Sequence, residues 1–468
     1  MKNFLSRLSF VILILCLGVM PCFAESTPEA GAWAAIPFDT ESFRTAGNIV
    51  TFGAYEQDGN TGKDPIEWIV LDVQDDQALL LSLYGLDAHS YTDHYGSITW
   101  ESCTLRAWLN RDFMYEAFSK GEREAILFSD VDNSAAQGNP EWETDGGNDT
   151  QDQVFLLSYH EAFKLYFTDE ASRQCILTPY AIANEAFTSD NFRKNGQNTG
   201  SWWLRSPGSF NTLAANVYYD GTLDGIRADY RQGTVRPVIR LNLAAEIPDR
   251  EAEAREASDL YQKALNKVKK GSRIEDVIDD IILAAEMGNA EAQCDLGWGY
   301  WHGQGLEQSY EKALWYYGLA ARQGNGLAYY NLAVMHQKGD GVDPSIWEAI
   351  KLYNKSAECG FTEAYYTLGS IYASDGNGVS KSIPRAIEFW QAGADQGHGK
   401  CQYNLGLIYM EGMDVEKDYE KAVTYFRLAL DHGVKEAAQA LGICYENGYG
   451  VEKNPEKAKE YYQIWQGQ

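Results

Sequence analysis

Apolar and small residues recur at a fixed spacing through the C-terminal half of the chain. A leucine followed by glycine or alanine stands at Leu296, Leu332, Leu368, Leu405 and Leu441. These leucines are 36, 36, 37 and 36 residues apart, and an alanine with an aromatic residue four positions later keeps the same period. Because a single helical pair cannot bury its own apolar face, a period of this size predicts a stack of helical hairpins.

Glycine and polar positions mark where the helices of each hairpin begin and end. The pattern predicts a helix A, a glycine turn, a helix B and a second glycine turn, since glycine adopts positive φ at little cost. The first turn carries Gly303, Gly339, Gly376, Gly412 and Gly448. A second turn glycine follows two residues later, but Asp414 replaces it in the fourth unit. The N-cap candidates before helix B are Ser309, Asp343, Asp418 and Asn454.

One unit reads AYYNLAVMHQKGDGVDPSIWEAIKLYNKSAECG, and this pattern resembles the Sel1-like repeat family, which is related to tetratricopeptide repeats. The resemblance covers about residues 288–468 in five units and implies an all-α solenoid, an α/α superhelix, which we predict over residues 272–468. It also implies a concave face, lined by the A helices, that binds peptides or partner proteins, and it implies no catalysis and no cofactor. Residues 246–271 are predicted to form a linker and a capping helix, in which acids come early and lysines late, as the helix dipole favours.

The residue before each recurring leucine is polar in most units, although the helix around it is largely apolar. Asn331 and Asn404 are therefore predicted to face the groove and clamp the backbone of a bound peptide. Tyr329 and Tyr365 stand close to them in sequence and are predicted to add stacking area. The alternative is that all four are ordinary solvated residues of helix A.

Short apolar runs and glycine turns fill residues 36–245, which predicts an α+β domain. Residues 66–73 and 77–85 are predicted to pair as a β-hairpin. An amphipathic helix is predicted over residues 104–118, and residues 154–166 are predicted to pass from strand into helix. After residue 200, short strands are expected to alternate with glycine turns.

This domain resembles an uncharacterised bacterial extracellular domain family in the motifs FGAYEQ, IEWIVLDV, SCTLRAWLN, WWLRSPG and VRPVIRLNL. Its closing motifs are also similar to the fold shared by formylglycine-generating enzymes and C-type lectins, which implies a C-type-lectin-like domain. The enzymes of that fold use a late pair of cysteines. Because this domain has no cysteine after Cys175, their oxidase activity is not expected here.

Trp202 and Arg205 are the candidate ligand-binding residues of the N-terminal domain. An aromatic face can stack on a sugar while a guanidinium bonds to its hydroxyls, which predicts a glycan ligand, and core packing is the alternative. Oxygen ligands between residues 145 and 152 could bind calcium, but their spacing does not match an EF-hand loop. His89 and His94 could bind a transition metal, but surface histidines are more common, so no metal site is predicted.

The chain begins MKNFLSRLSFVILILCLGVMPCFAES, where Lys2 and Arg7 precede an apolar stretch over residues 10–20. This stretch is too short to span a bilayer, so residues 1–24 are predicted to be a signal peptide, and no other segment is expected to cross a membrane. We therefore expect an exported protein that is extracellular, attached to the cell surface or periplasmic. Export would permit a disulfide between Cys103 and Cys175, and two buried free thiols are the alternative.

The charge balance narrows the classes of partner. Without the predicted signal peptide the chain holds 37 basic against 67 acidic residues, a net charge of −30. A surface this acidic repels a phosphate backbone, which excludes nucleic acid. The sequence predicts a non-enzymatic exported adaptor that binds proteins or peptides through its solenoid and a ligand through its N-terminal domain. The alternative is an enzyme of unknown reaction in the N-terminal domain, to which the solenoid recruits substrate.

Overall fold

A computed structural model of the protein describes residues 40–57, 63–142, 144–230, 233–375 and 378–466. The chain divides into two compact units, and the division falls between Glu256 and Ala257, inside the helix Arg250–Lys269. Each unit has its own apolar core. The predicted signal peptide, residues 1–24, and the turn glycine Gly376 lie outside the described residues.

The first unit is built mainly of short strands. These are β1 (Ile49–Tyr55), β2 (Asp64–Gln74), β3 (Gln77–Ser82), β4 (Asp87–Ala88), β5 (Ile126–Leu127), β6 (Ser129–Val131), β7 (Thr150–Asp152), β8 (Val154–Phe155), β9 (Cys175–Ile176), β10 (Thr188–Lys194), β11 (Gln197–Gly200), β12 (Trp202–Pro207), β13 (Leu213–Val217), β14 (Leu223–Arg227), β15 (Thr234–Val235) and β16 (Val238–Asn242). One sheet has the order β1-β2-β3-β16-β5, with β8 also paired to β16, and a second has the order β14-β13-β12-β15-β4. Two smaller sheets have the orders β10-β11-β9 and β6-β7.

Short helices complete the first unit. They are α1 (Thr104–Trp108), α2 (Met114–Ala117), α3 (Lys120–Ala125), α4 (Glu170–Arg173) and α5 (Pro179–Ala183), with π-helical turns at Leu109–Phe113 and Glu161–Tyr166 and 3-10 turns at Ser42–Arg44 and Ala135–Gln137. The predicted helix over residues 104–118 is confirmed, and its apolar stripe buries Leu105, Leu109 and Phe113. The predicted hairpin is also confirmed, since β2 and β3 pair antiparallel across a turn in which Asp75 has a φ of 51°.

The second unit is helical throughout its described residues. Its helices are α6 (Arg250–Lys269), α7 (Ile278–Glu286), α8 (Ala290–His302), α9 (Tyr310–Arg322), α10 (Gly326–Lys338), α11 (Ile346–Glu358), α12 (Glu363–Ala373), α13 (Ile383–Asp395), α14 (Gly399–Glu411), α15 (Tyr419–Asp431), α16 (Glu436–Asn447) and α17 (Pro455–Gln466), with a 3-10 turn at Ile274–Asp276. The even-numbered helices from α8 to α16 are the A helices, and the odd-numbered ones from α9 to α17 are the B helices. The predicted capping helix is α6, whose Tyr261 and Ala264 pack in one cluster with Ile281 and Ala292.

Close contact between the A and B helices depends on the small residue after each recurring leucine. A Cβ atom on Gly297 would lie 2.6 Å from the ring of Tyr317, and one on Gly442 would lie 2.6 Å from the ring of Tyr462. The aromatic side chain of helix B therefore occupies the space that a side chain on helix A would need. This packing brings the two helices of each hairpin together and buries the ring of Tyr317 completely.

The predicted turns are confirmed with one exception among the N-caps. Gly303, Gly339, Gly412 and Gly448 end their helices in the left-handed conformation, and Asp414 adopts it as well, with a φ of 54°. The side chains of Ser309, Asp418 and Asn454 accept hydrogen bonds from the first turns of their B helices. The prediction of Asp343 as an N-cap was wrong. Pro344 follows it, and Ser345 is the N-cap residue, whose hydroxyl accepts a hydrogen bond from Glu348 N.

The six cysteines in the described residues are free. Cys103 and Cys175 are both buried, so the structure agrees with the second of the two alternatives considered for them. Burial raises the pKa of the Cys103 thiol to about 12, which keeps the thiol protonated and unreactive at neutral pH.

Candidate interaction surfaces

Adjacent tyrosines on the A helices point in different directions. On α12, Cβ of Tyr365 approaches Gly393 in the helix B of its own repeat, and its hydroxyl accepts a bond from Gln396 Nε2 at 3.4 Å. The ring of Tyr366 turns instead toward the next helix A, where Nζ of Lys400 lies 5.1 Å from the ring centroid. Neighbouring residues on a helix are separated by about 100° of rotation, so only one of the pair can face a given side.

The predicted cluster of Tyr329, Asn331, Tyr365 and Asn404 is therefore not a single surface. Tyr329 lies beside Lys355 on its own helix B, whose Nζ is 5.7 Å from the ring centroid. Asn331 is only 9% exposed, so its side chain is not available to clamp a partner's backbone. Asn404 is half-buried. The expectation that these side chains share one face was wrong, because positions two apart on a helix point to nearly opposite sides.

A different set of tyrosines lies along the junctions between repeats. Tyr330, Tyr366 and Tyr403 hold the same position in consecutive repeats, and all three are half-buried; we call them the tyrosine row. The hydroxyl of Tyr330 lies 3.2 Å from Thr367 Oγ1 on the next helix A. Burial raises the pKa of Tyr403, and the charge of Glu436 on the next helix A raises it further. Each member of the row thus extends toward the following repeat.

Charged groups surround the middle of the tyrosine row. Lys400 Nζ donates to Glu363 Oε1 at 2.8 Å, and His398 Nε2 lies 2.9 Å from Glu363 Oε2. Burial raises the pKa of Glu363, but the hydrogen bonds from His398 and Lys400 outweigh this effect and lower the pKa below its usual value. The ring of Tyr366 lies beside both the imidazole of His398 and the ammonium group of Lys400. This arrangement offers a partner an aromatic ring together with both signs of charge.

Trp202 and Arg205 are both buried, so they cannot form an exposed sugar platform. The indole of Trp202 has no exposed surface, donates to the Arg173 carbonyl at 3.0 Å and lies under the guanidinium of Arg236. Arg205 is 3% exposed and is paired with Glu161, with its Nη2 3.1 Å from Glu161 Oε1. All six residues of β12 are buried, which makes this strand part of the core. The glycan prediction was wrong for these two residues.

Three exposed aromatic residues lie on loops of the same unit, and the sequence reasoning missed them. Tyr95 is 68% exposed, Phe210 is 70% exposed and Tyr230 is 48% exposed. Backbone hydrogen bonds join their loops, from Ile98 to Asn211 at 3.0 Å and from Thr92 to Ala228 at 2.9 Å. The available signal was weak: each ring stands within three residues of a glycine or serine, in a polar segment without apolar periodicity.

Calcium and transition-metal sites were considered for residues 145–152 and for His89 and His94. In the described part of the chain, no group of three His, Cys, Asp or Glu residues is placed to hold a metal ion. Asp152 is buried and accepts bonds from Trp100 Nε1 and Arg106 Nε. His89 stacks on Trp108 with ring centroids 3.9 Å apart, and its Nε2 lies 3.3 Å from the buried Asp87. The carboxylates of these loops are thus engaged by protein donors. Over the same residues, no helix is both long and apolar enough to cross a membrane.

Comparison with known proteins agrees with the two-part architecture. A domain of unknown function, DUF6273, matches residues 75–243, and the Sel1 repeat matches residues 290–325, 326–361, 362–398, 399–434 and 435–465. No curated protein sequence matches the chain. The match to DUF6273 assigns no function to the N-terminal domain, and its likeness to C-type lectins stays a prediction.

Many solved structures are similar to part of the chain, and they include the following two. A Sel1 repeat protein from Oxalobacter formigenes is 29% identical over 46% of this chain and 82% of its own, with a TM-score of 0.39. A protective antigen present in uropathogenic Escherichia coli strains, c5321, which displays an SLR fold, is 26% identical over 46% of this chain and 47% of its own, with a TM-score of 0.42. The family matches identify a DUF6273 domain followed by five Sel1 repeats in this chain.

Proposed function

We propose that this protein is a non-enzymatic exported adaptor. Its Sel1 repeats bind a protein or peptide partner through the A helices, and its N-terminal domain recognises a separate ligand. Sel1 repeats are typically protein-interaction modules, which supports the first part of the proposal. The observation that carries it is the tyrosine row of Tyr330, Tyr366 and Tyr403, repeated in register over three consecutive repeats.

The chemistry of the row suits an extended peptide. Tyrosine supplies a large rigid contact area at low conformational cost, and its hydroxyl can bond to a peptide backbone. One helical turn after two of these tyrosines stand Val334 and Leu407, which are also half-buried and add apolar contact area. The pair of Glu363 and Lys400 beside Tyr366 would fix the direction of a charged partner rather than add much affinity.

The adjacent tyrosines provide a matched test. Random peptides are selected on the immobilised full chain, and the affinity of the best binders is measured for two double variants. We expect Tyr330→Ala with Tyr366→Ala to weaken binding by roughly tenfold or more, as loss of aromatic anchors usually does. Tyr329→Ala with Tyr365→Ala is the control and should leave the affinity near that of the native chain. Equal losses, or a loss in the control alone, would show that the tyrosine row is not the binding surface.

Export is supported by the charged and apolar pattern before Ala24. Expression in a bacterial host with its secretion machinery, followed by fractionation and N-terminal sequencing, tests it. The expected product lies outside the cytoplasm and begins at Glu25. Recovery of the chain from the cytoplasm with residues 1–24 still attached would refute export and leave the binding proposal to be judged on its own.

A further inference from the structure

We infer that the loops carrying Tyr95, Phe210 and Tyr230 form a polysaccharide-binding platform. This inference rests on the proposed ligand-recognition role of the N-terminal domain and is independent of the solenoid. We call the site the loop platform and define it by these three rings together with Arg227 and Asp229. The glycan contact predicted from the sequence involved Trp202 and Arg205, which are buried. The loop platform is an exposed alternative in the same unit.

The loop platform is held in place by backbone bonds. Ile98 N donates to Asn211 O at 3.0 Å, Ala228 N donates to Thr212 O at 3.2 Å, and Tyr230 N donates to Arg227 O at 3.0 Å. The loops that carry the rings are therefore fixed to one another before any ligand arrives. A preformed site avoids the entropy cost of ordering loops on binding, which matters for a ligand that makes weak individual contacts.

Exposure of these rings needs an explanation. Single exposed apolar residues are normal on a protein surface. Three large rings on joined loops, in contrast, leave apolar surface in contact with water until a ligand covers it. Phe210 is the clearest case, since its side chain carries no polar group and is 70% exposed. An aromatic face is also the surface against which the C–H groups of a pyranose ring pack.

Planar polar groups stand beside the rings. The guanidinium of Arg227 lies over Tyr95, 5.3 Å from the ring centroid. The same guanidinium donates two hydrogen bonds to the Asp229 carboxylate, from Nε to Oδ1 at 3.0 Å and from Nη2 to Oδ2 at 2.6 Å. Such a pair holds donors and acceptors in one fixed plane, which suits the paired hydroxyls of a sugar.

The residues that flank the rings in the sequence favour a sugar over a protein as the ligand. The exposed residues within two positions of Tyr95 and Phe210 in the sequence are polar, namely Asp93, His94, Ser97 and Asn211. The centre of a protein interface is depleted in charged residues, whereas hydroxyl-rich ligands are bound by aromatic faces together with polar side chains. The solenoid, with its half-buried apolar residues, is the better protein-binding surface of this chain.

Sedimentation with insoluble polysaccharides tests the inference on the full chain, with chitin, cellulose and purified peptidoglycan as the probes. We expect the native chain to be retained on at least one of them and Tyr95→Ala with Phe210→Ala to lose retention by roughly tenfold. Phe128→Ala is the matched control, because Phe128 is also 68% exposed but lies between β5 and β6. Melting curves of the variants show that each is folded.

Several outcomes would overturn the inference. These are no retention of the native chain on any probe, equal retention of the double variant, or an equal loss in Phe128→Ala. The result is separable from the solenoid proposal. Retention on polysaccharide together with unchanged peptide binding in Tyr330→Ala with Tyr366→Ala would refute the tyrosine row alone, and the reverse pair of results would refute the loop platform alone.

Discussion

Gly369 lies so close to Trp390 that a Cβ atom on the glycine would overlap Nε1 of the indole ring. The glycine belongs to a helix A and the tryptophan to the helix B of the same repeat. In the second repeat the equivalent residues are Ala333 and Tyr353, and both are buried without conflict. The second repeat therefore accommodates a methyl group beside Tyr353, although in the first and fifth repeats a Cβ would lie 2.6 Å from the facing tyrosine ring.

Gly369→Ala is expected to destabilise the solenoid. Overpacking of a close helix contact typically costs about 1–3 kcal/mol, so the melting temperature should fall. Adding Trp390→Tyr should restore most of the loss, because the double variant reproduces the pair of Ala333 and Tyr353. Differential scanning calorimetry of the native chain, both single variants and the double variant measures the coupling. An unchanged melting temperature in Gly369→Ala would contradict the close approach.

The period of small and apolar residues was enough to predict the solenoid, because every hairpin must bury the same face against its neighbour. The period does not show which of two adjacent tyrosines faces outward. Tyr365 and Tyr366 are chemically identical in the sequence, and only the position of the next helix A distinguishes them. The predicted site residues were therefore one position out of register with the tyrosine row.

Burial in the N-terminal domain was harder to predict. The sequence left Trp202 open between a glycan contact and core packing, but β12 lies inside its sheet and all its residues are buried. Arg205 is buried because Glu161, more than forty residues earlier, neutralises it. Neither contact has a local signal in the sequence, since both depend on long-range packing.

Asp414→Gly is expected to stabilise the fourth repeat slightly. Asp414 holds a φ of 54°, which costs an aspartate more than a glycine, but glycine loses more entropy on folding. The net gain should be below about 1 kcal/mol, visible as a small rise in the denaturation midpoint. The reverse change in the fifth repeat, Gly450→Asp, should be strongly destabilising, because a Cβ there would overlap the Tyr419 carbonyl. A loss of stability in Asp414→Gly would show that the aspartate side chain makes a compensating bond.

Two arginine–carboxylate pairs of the N-terminal domain should respond differently to truncation. Arg205→Ala removes a buried guanidinium and leaves the half-buried Glu161 without its partner, and breaking such a pair costs about 3 kcal/mol. Arg227→Ala breaks an exposed pair with Asp229 and should leave the urea midpoint near that of the native chain. Urea unfolding followed by tryptophan fluorescence compares the two. If both variants unfold at the native midpoint, Arg205 is not a structural residue.

The stability of the solenoid should depend on pH through Asp295, which accepts a hydrogen bond from Tyr261 of the capping helix at 2.7 Å. Burial raises the pKa of Asp295 from 3.8 to about 6, and the bond from Tyr261 offsets only part of this. Between these two values the folded state keeps a proton that the unfolded state has lost. The native chain therefore loses stability as the pH rises from about 4 to 6 and recovers none of it above that range.

Asp295→Asn removes this dependence, because an amide accepts the same hydrogen bond and carries no charge. The variant should match the native chain below pH 4 and exceed its stability at neutral pH by roughly 1–3 kcal/mol. Melting temperatures across this range measure the difference, with the exposed Asp431→Asn as the control. If the difference in melting temperature between the Asp295→Asn variant and the native chain stays constant with pH, titration of Asp295 is not its cause. Only a change in the protonation of Asp295 makes the two curves diverge between about pH 4 and 6.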